Sequence, residues 1–424
     1  MNRSILVMLV AGCQGWSSAI DHTRGTGMTR CFAGDNPYVA ECTVTLEAPG
    51  PIAVVLTAKG APTRTFESTD LSAEHTIAAW GLRADTEYEW SAAGESGHVT
   101  TGETPFTLQS AEISVSGTLT GIDAVMVYLS CGYFAVIDGE GEIIGAVPAL
   151  AYDGYIDGMR WSQADRSFLA ASDARMMGED SRMVEVHVSG SELLRLETTD
   201  LDLSALTHDL DRWGPYTYLL GIDDQGAEGF EVWEDTTWRG TYLLERDFVL
   251  HDSWLNGLSV SDDGQVILSE RTNNAIISVD GDPDSPAFLT VNWHAAGVNG
   301  SGLSAPDYAP SGGNLYRSQH HASLHGDDLW VFDNDSRGES RALRMSMDGT
   351  TGEISETGSW DLGQKCDNQG GAFPVDGGTL TTCANSADVY LFLEDSVAPA
   401  WHLNATCGDQ SFHRSTRAYP VLVE

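Results

Sequence analysis

Ser318 to Arg341, SQHHASLHGDDLWVFDNDSRGESR, places a histidine pair before an apolar run, Leu329-Trp330-Val331-Phe332. Asp333-Asn334 follows that run and, after a polar loop, Ser340-Arg341. Imidazole can act as nucleophile, base or acid near neutral pH, so His320 and His321 are the first candidates for chemistry. Polar groups beside a buried strand are costly unless they are partnered, which makes Asn334 and Arg341 candidates for holding a ligand or a catalytic group. Three further segments have the same form. Leu206-Thr207-His208-Asp209 offers a second histidine; His251-Asp252-Ser253-Trp254-Leu255-Asn256-Gly257 offers His251, Trp254 and Asn256; and Leu268-Ser269-Glu270-Arg271 ends on a cation. A lone histidine before a strand is most often a hydrogen-bonded structural residue. What singles these out is their recurrence.

The elements that must position them are strands. From Phe106 onward a Gly- and Asp-rich turn followed by an apolar strand returns repeatedly, as at Gln163–Leu169, Trp213–Leu219, Asp262–Ile267, His325–Trp330 and Asp376–Leu380. Helical periodicity is scarce. Four-stranded units repeating every roughly 45 to 60 residues are the pattern of a β-propeller. Adding a first unit near Val125–Ile144 gives about six blades, and a terminal strand around Arg417–Leu422 would return to complete the first sheet. The competing architectures are an irregular β-sandwich and a different blade count. In a propeller the first strands of the blades converge on a central channel, so side chains from several blades can share one site.

Ahead of the propeller, residues 38–105 alternate short apolar segments with turns, the pattern of a small β-sandwich. Leu82-Arg83-Ala84-Asp85-Thr86-Glu87-Tyr88 resembles the tyrosine corner of fibronectin type III domains, with Ala84 in place of proline. It implies a Tyr88 hydroxyl bonded back to the corner, and Trp80 and Trp90 in the core. Residues 13–37 are small and polar and read as a tether. Residues 1–12 carry one positive charge and a short apolar run, and Leu9-Val10-Ala11-Gly12-Cys13 reads as a lipoprotein cleavage box. Cys13 is then the lipidated residue, anchoring the protein to a membrane of the bacterial cell envelope, periplasmic or surface-exposed.

The six other cysteines suit an oxidising compartment and allow 15 disulfide connectivities. Proximity favours Cys31–Cys42 and Cys366–Cys383, leaving Cys131–Cys407 to staple the first and last blades. No CxxC pair points to structural zinc, and no complete EF-hand or nonapeptide calcium motif is present. No metal or cofactor is expected. With 22 basic against 62 acidic residues the formal charge is −40, which disfavours nucleic acid and anionic lipid surfaces as partners.

Taken in order and at blade spacing, the polar segments resemble the bacterial arylsulfate sulfotransferase family, whose members are periplasmic or lipid-anchored six-bladed propellers. The resemblance covers roughly Phe106 to Tyr419. Its most specific part is Gln319-His320-His321-Ala322, then Phe332-Asp333-Asn334, then Ser340-Arg341-Ala342. Asp335 replaces the family's glycine after Asn334, and Phe412-His413-Arg414-Ser415 stands where the family has its closing Tyr-Arg-Ala segment. The resemblance implies sulfuryl transfer from an aryl sulfate donor to a phenolic acceptor without a nucleotide sulfate (PAPS-independent). His320 would be the nucleophile, forming a sulfohistidine. Arg271 would clamp the sulfate, Asn256 would donate to the same oxygens, and His208 would assist the leaving phenolate. The family places a histidine two residues before the asparagine, where this chain has Trp254; His251 is three residues earlier. The alternative is a non-catalytic, surface-anchored propeller that binds a ligand after losing part of the sulfate site. Calcium-dependent adhesion is a third reading.

Overall fold

The computed structural model describes residues 29–149, 155–173, 181–247, 253–297, 306–311, 315–407 and 417–423. The expectations for residues 1–12, Cys13, His251 and Phe412–Ser415 lie outside these residues. The chain is all-β, and its sheets resolve into the six blades expected. Blade 2 contains Tyr155–Ser162, Ser167–Asp173, Arg182–His187 and Glu192–Glu197. Blade 3 contains Ala205–Trp213, Tyr216–Ile222, Glu228–Glu234 and Thr237–Leu243. Blade 4 contains Leu255–Val260, Gln265–Glu270, Ala275–Asp280 and Val291–Ala296. Blade 5 contains His320–His325, Asp328–Asp333, Arg341–Asp348 and Glu353–Asp361, with Ala309–Pro310 on its outer edge.

Closure of the ring is double. Tyr419–Val421 adds the innermost strand of blade 1, pairing with Ala124–Leu129 ahead of Tyr133–Asp138 and Ile143–Pro148. Ala111–Gly117 adds a fifth, outermost strand to blade 6, pairing with Trp401–Cys407 beyond Gly371–Val375, Gly378–Cys383 and Asp388–Leu393. The Cys131–Cys407 disulfide ties blade 1 to blade 6 across 276 residues of sequence. Cys31–Cys42 and Cys366–Cys383 form the other two bridges. All three are the pairs expected, two of them from proximity and Cys131–Cys407 by elimination.

The strands nearest the axis are closely packed although they carry polar residues, because inner strands have neighbours on both faces. Leu255, Asn256, Gly257, Leu258 and Ser259 are all buried. A Cβ at Gly257 would lie 2.8 Å from the His321 backbone nitrogen, and one at Gly158 would lie 3.0 Å from Asp209 Cα. Glycine is what lets neighbouring blades approach so closely.

The N-terminal strands form one five-stranded sheet that curls until its edges meet, where the Thr29 N–H donates to Glu95. Its first strand, Thr29–Ala33, begins inside the stretch expected to be tether. Cys31 sits in register opposite Cys42, and their disulfide holds this segment as a strand. Tyr88 Oη accepts the Arg83 N–H at 2.9 Å, as the corner motif implies. Trp90 fills the core of the sheet, whereas Trp80 packs on Trp161 of blade 2 at 5.5 Å. Asn36 donates to the Ala146 and Val188 carbonyls, so the sheet docks on blades 1 and 2.

Candidate functional site

The site is built on irregularities of the inner strands. In blade 5, His320 pairs with Phe332 and Ala322 with Val331, leaving His321 as a bulge residue at φ 44°. In blade 4, Leu255 pairs with Glu270 and Gly257 with Ser269, so Asn256 is the extra residue. In blade 3, the register slips between Leu206 and Leu210, and His208 sits within the slip at φ 54°. Bulges re-aim side chains that regular pleating would point elsewhere, and backbone held at positive φ is a recurrent mark of functional sites.

His320 is buried, 4% exposed. Its Nδ1 meets Asn334 Oδ1 at 2.9 Å, and its Nε2 accepts the Gln369 backbone N–H at 3.2 Å. Asn334 is itself oriented, donating through Nδ2 to the Cys366 carbonyl at 2.6 Å and the Gln369 carbonyl at 3.1 Å. Its oxygen must therefore face His320, and the imidazole hydrogen must sit on Nδ1. Nε2 keeps the lone pair. Burial holds the His320 pKa well below the usual imidazole value, and the charges of Arg417, His208 and Arg271 push the same way against the Asn334 bond. The ring is a neutral base of fixed tautomer.

Arg271 and Trp254 lie nearer the surface, Trp254 being 45% exposed. The guanidinium lies over the indole at 5.2 Å and, among the described residues, makes no hydrogen bond or ion pair. In a chain of charge −40, this arginine keeps its guanidinium donors unspent near a neutral histidine, and such a fork has the geometry to match an oxyanion. The Trp254 indole N–H donates to His208 Nε2 at 3.3 Å. His208, Trp254, Arg271 and His320 therefore belong to one constellation drawn from blades 3, 4 and 5.

Two assignments change. Arg341 is fully buried and spends its guanidinium on Asp333, Glu356, Ser359, Ser336 and the Leu315 carbonyl, which leaves it no role toward a ligand. It cross-ties blade 5. Asn256 is also fully buried; its amide donates to the Gln319 carbonyl at 2.7 Å, and its Oδ1, an acceptor, has no partner among the described residues. It links blade 4 to the strand bearing His320. Gln319 strengthens that link by donating to the Glu270 and Ala275 carbonyls.

No protein-family model matches the chain, and no curated protein matches it. Among solved structures, similar folds occur in a nidogen/laminin complex (10% identity, 70% of this chain and 99% of that one, TM-score 0.45). They occur also in a periplasmic gluconolactonase of Pseudomonas aeruginosa (11%, 88% and 100%, TM-score 0.39) and in the glutaminyl cyclase of Myxococcus xanthus (12%, 64% and 93%, TM-score 0.33). None of these three is an arylsulfotransferase, and at this similarity none bears on the chemistry of this chain.

Sequence reasoning missed two groups. Arg417, 3% exposed, pairs with Asp209 through Nη1 and donates to the Asn256 carbonyl through Nη2 at 2.9 Å. It brings a buried cation to His320 from just ahead of the strand that closes the ring. Arg417, one of two arginines in the polar stretch Arg414-Ser415-Thr416-Arg417, carries no sequence signal of that position. Gln369, at φ 50°, acts through its backbone, which no side-chain motif records. His321 is fully buried and packs against Phe373 at 4.3 Å. It belongs to the core.

Proposed function

We propose that this protein is a PAPS-independent aryl sulfotransferase, moving a sulfuryl group from a phenolic sulfate ester to a phenol through a sulfohistidine at His320. The observation that carries the reading is the His320–Asn334 pair: a buried, neutral imidazole with its lone pair on Nε2, set among Arg417, His208 and the unspent Arg271. In the first half-reaction Nε2 gives up the Gln369 N–H and bonds to sulfur while the S–O(aryl) bond breaks. Because Asn334 is an amide and not a carboxylate, the Nδ1 hydrogen stays on the ring. The intermediate is therefore a sulfoimidazolium, an activated donor for the acceptor phenol. Charge gathers on the sulfuryl oxygens, and the Arg271 guanidinium would meet it. A lipid anchor at Cys13 would hold this chemistry at the bacterial cell envelope.

The test is turnover of p-nitrophenyl sulfate with a phenolic acceptor, by the parent protein and by His320→Ala. Release of p-nitrophenol lost in the variant, with a gain of one sulfuryl mass on the parent, supports the reading; equal turnover in both sinks it. A second reading, a propeller that binds an aromatic anion without transferring sulfur, draws support from the Gln369 N–H on Nε2, from Asn256 turned away, and from Trp254 where the family has histidine. It predicts saturable binding of p-nitrophenyl sulfate with no adduct.

A further inference from the structure

The contact between Trp254 and His208 determines which imidazole nitrogen can carry a proton. The indole N–H donates to His208 Nε2, with the two rings edge to face at 6.1 Å and 77°. An N–H can donate to Nε2 only while that nitrogen is unprotonated, so the neutral ring holds its hydrogen on Nδ1, which is buried. The indole is not free to swing away. Its backbone N–H donates to Glu270 at 2.9 Å, its carbonyl accepts the Arg271 N–H at 2.9 Å, and the next N–H, of Leu255, donates to Glu228 at 2.6 Å. The Arg271 guanidinium covers one face of the ring, yet Trp254 remains 45% exposed.

We propose that Trp254 is a positioning residue that keeps His208 a hydrogen-bond acceptor at Nε2, so that this nitrogen supplies no proton to a departing oxygen and the site selects donors with acidic leaving phenols. This inference rests on the reading of His320 as nucleophile. As the N–S bond forms at His320 Nε2, the S–O(aryl) bond breaks and its electron pair leaves on the aryl oxygen. The product is a phenolate that takes its proton later from water. Without a proton from His208, a contribution of about 10²–10⁴-fold where such an acid acts, departure depends on how well the phenolate bears its own charge. Phenols carrying electron-withdrawing groups are the substrate class this favours, and simple alkylphenol sulfates are poor donors.

Two measurements test it. Long-range proton–nitrogen NMR spectra of the whole protein, with His208 assigned by comparison with His208→Gln, read the tautomer directly. The expected result is an unprotonated Nε2 in the parent and a shift toward Nε2 protonation in Trp254→Phe. A protonated Nε2 in the parent, or no change in the variant, overturns the proposal. The second measurement is kcat/KM for a series of aryl sulfates against the pKa of the leaving phenol. The parent is expected to show a steep dependence, and Trp254→His to flatten it, raising phenyl sulfate relative to p-nitrophenyl sulfate by about 10²-fold. Equal slopes overturn the selectivity. A parent inactive on every ester overturns the reading of His320 and the substrate class with it, while the spectra still decide the tautomer on their own.

Discussion

Replacing Arg417 by methionine tests whether the closing strand holds the site together electrostatically. Methionine keeps much of the apolar stem and deletes the cation, leaving Asp209, 1% exposed, with two backbone donors among the described residues, Leu258 N–H at 2.8 Å and Leu210 N–H at 3.0 Å, and the charge of Arg160 nearby. Stranding one member of a buried ion pair costs about 3–5 kcal/mol. The two remaining donors put the expected loss at the low end, about 3 kcal/mol. The Asn256 carbonyl, which accepts from Arg417, loses a partner as well. Guanidinium unfolding followed by tryptophan fluorescence reads the loss as a lower midpoint at unchanged slope. The double variant Arg417→Met/Asp209→Asn removes the stranded charge and should recover most of the stability, to within about 1 kcal/mol of the parent, since deleting both partners is far milder than deleting one. A single variant that loses under about 1 kcal/mol, or a double variant no better than the single, refutes the argument. The same substitution should raise the His320 pKa, because the Arg417 charge lowers it, without restoring the ordinary value, because burial is the larger cause.

Asn334→Ala removes three hydrogen bonds, to His320, Cys366 and Gln369, and at about 1 kcal/mol each should cost about 3 kcal/mol in chemical denaturation. It should also release the His320 tautomer, visible in the same NMR spectra, and lower aryl sulfate turnover more than 10-fold, because the attacking nitrogen loses its orientation. His321→Phe should matter more at low pH. The folded-state pKa of His321 is depressed by burial, so the native protein binds fewer protons than the unfolded chain below about pH 6.5, and stability falls as pH drops. Relative to the parent, the variant should gain up to about 2 kcal/mol between pH 8 and pH 5 in denaturation curves; a constant difference would count against it. Removing the Cys131–Cys407 bridge with paired serines should cost about 4–5 kcal/mol, given the 276-residue separation, and Cys31–Cys42, at 11 residues, less. Calorimetric midpoints would rank the two.

Much of this was legible because it is local or periodic. The turn-strand repeat gave six blades, the Gln-His-His-Ala segment fell at the start of an inner strand, and the corner at Tyr88 formed from neighbours in sequence. Cysteine pairing followed from proximity and elimination. What could not be read is where hydrogen-bonding capacity is spent. Arg341 and Asn256 have the right residue types for binding an anion, but Asp333 and Glu356 occupy one, and the Gln319 carbonyl occupies the amide of the other. Arg417 and the Gln369 N–H escaped for a different reason. They reach His320 only when blades 6 and 1 come round the ring, and no spacing in the chain encodes that meeting.

The two-ended closure also sets the order in which the site can come into being. His320, Asn334 and Gln369 can meet once blade 5 and the start of blade 6 are in place, but Arg417 follows all of them in the chain and precedes the strand that completes blade 1. A partly folded ring would thus carry the base without its deepest cation, and Asp209 without its partner. Ligand capture and final latching should then be reciprocal: an aryl sulfate added during refolding should speed the appearance of protected amides at Tyr419–Val421, and leave the early blades unchanged.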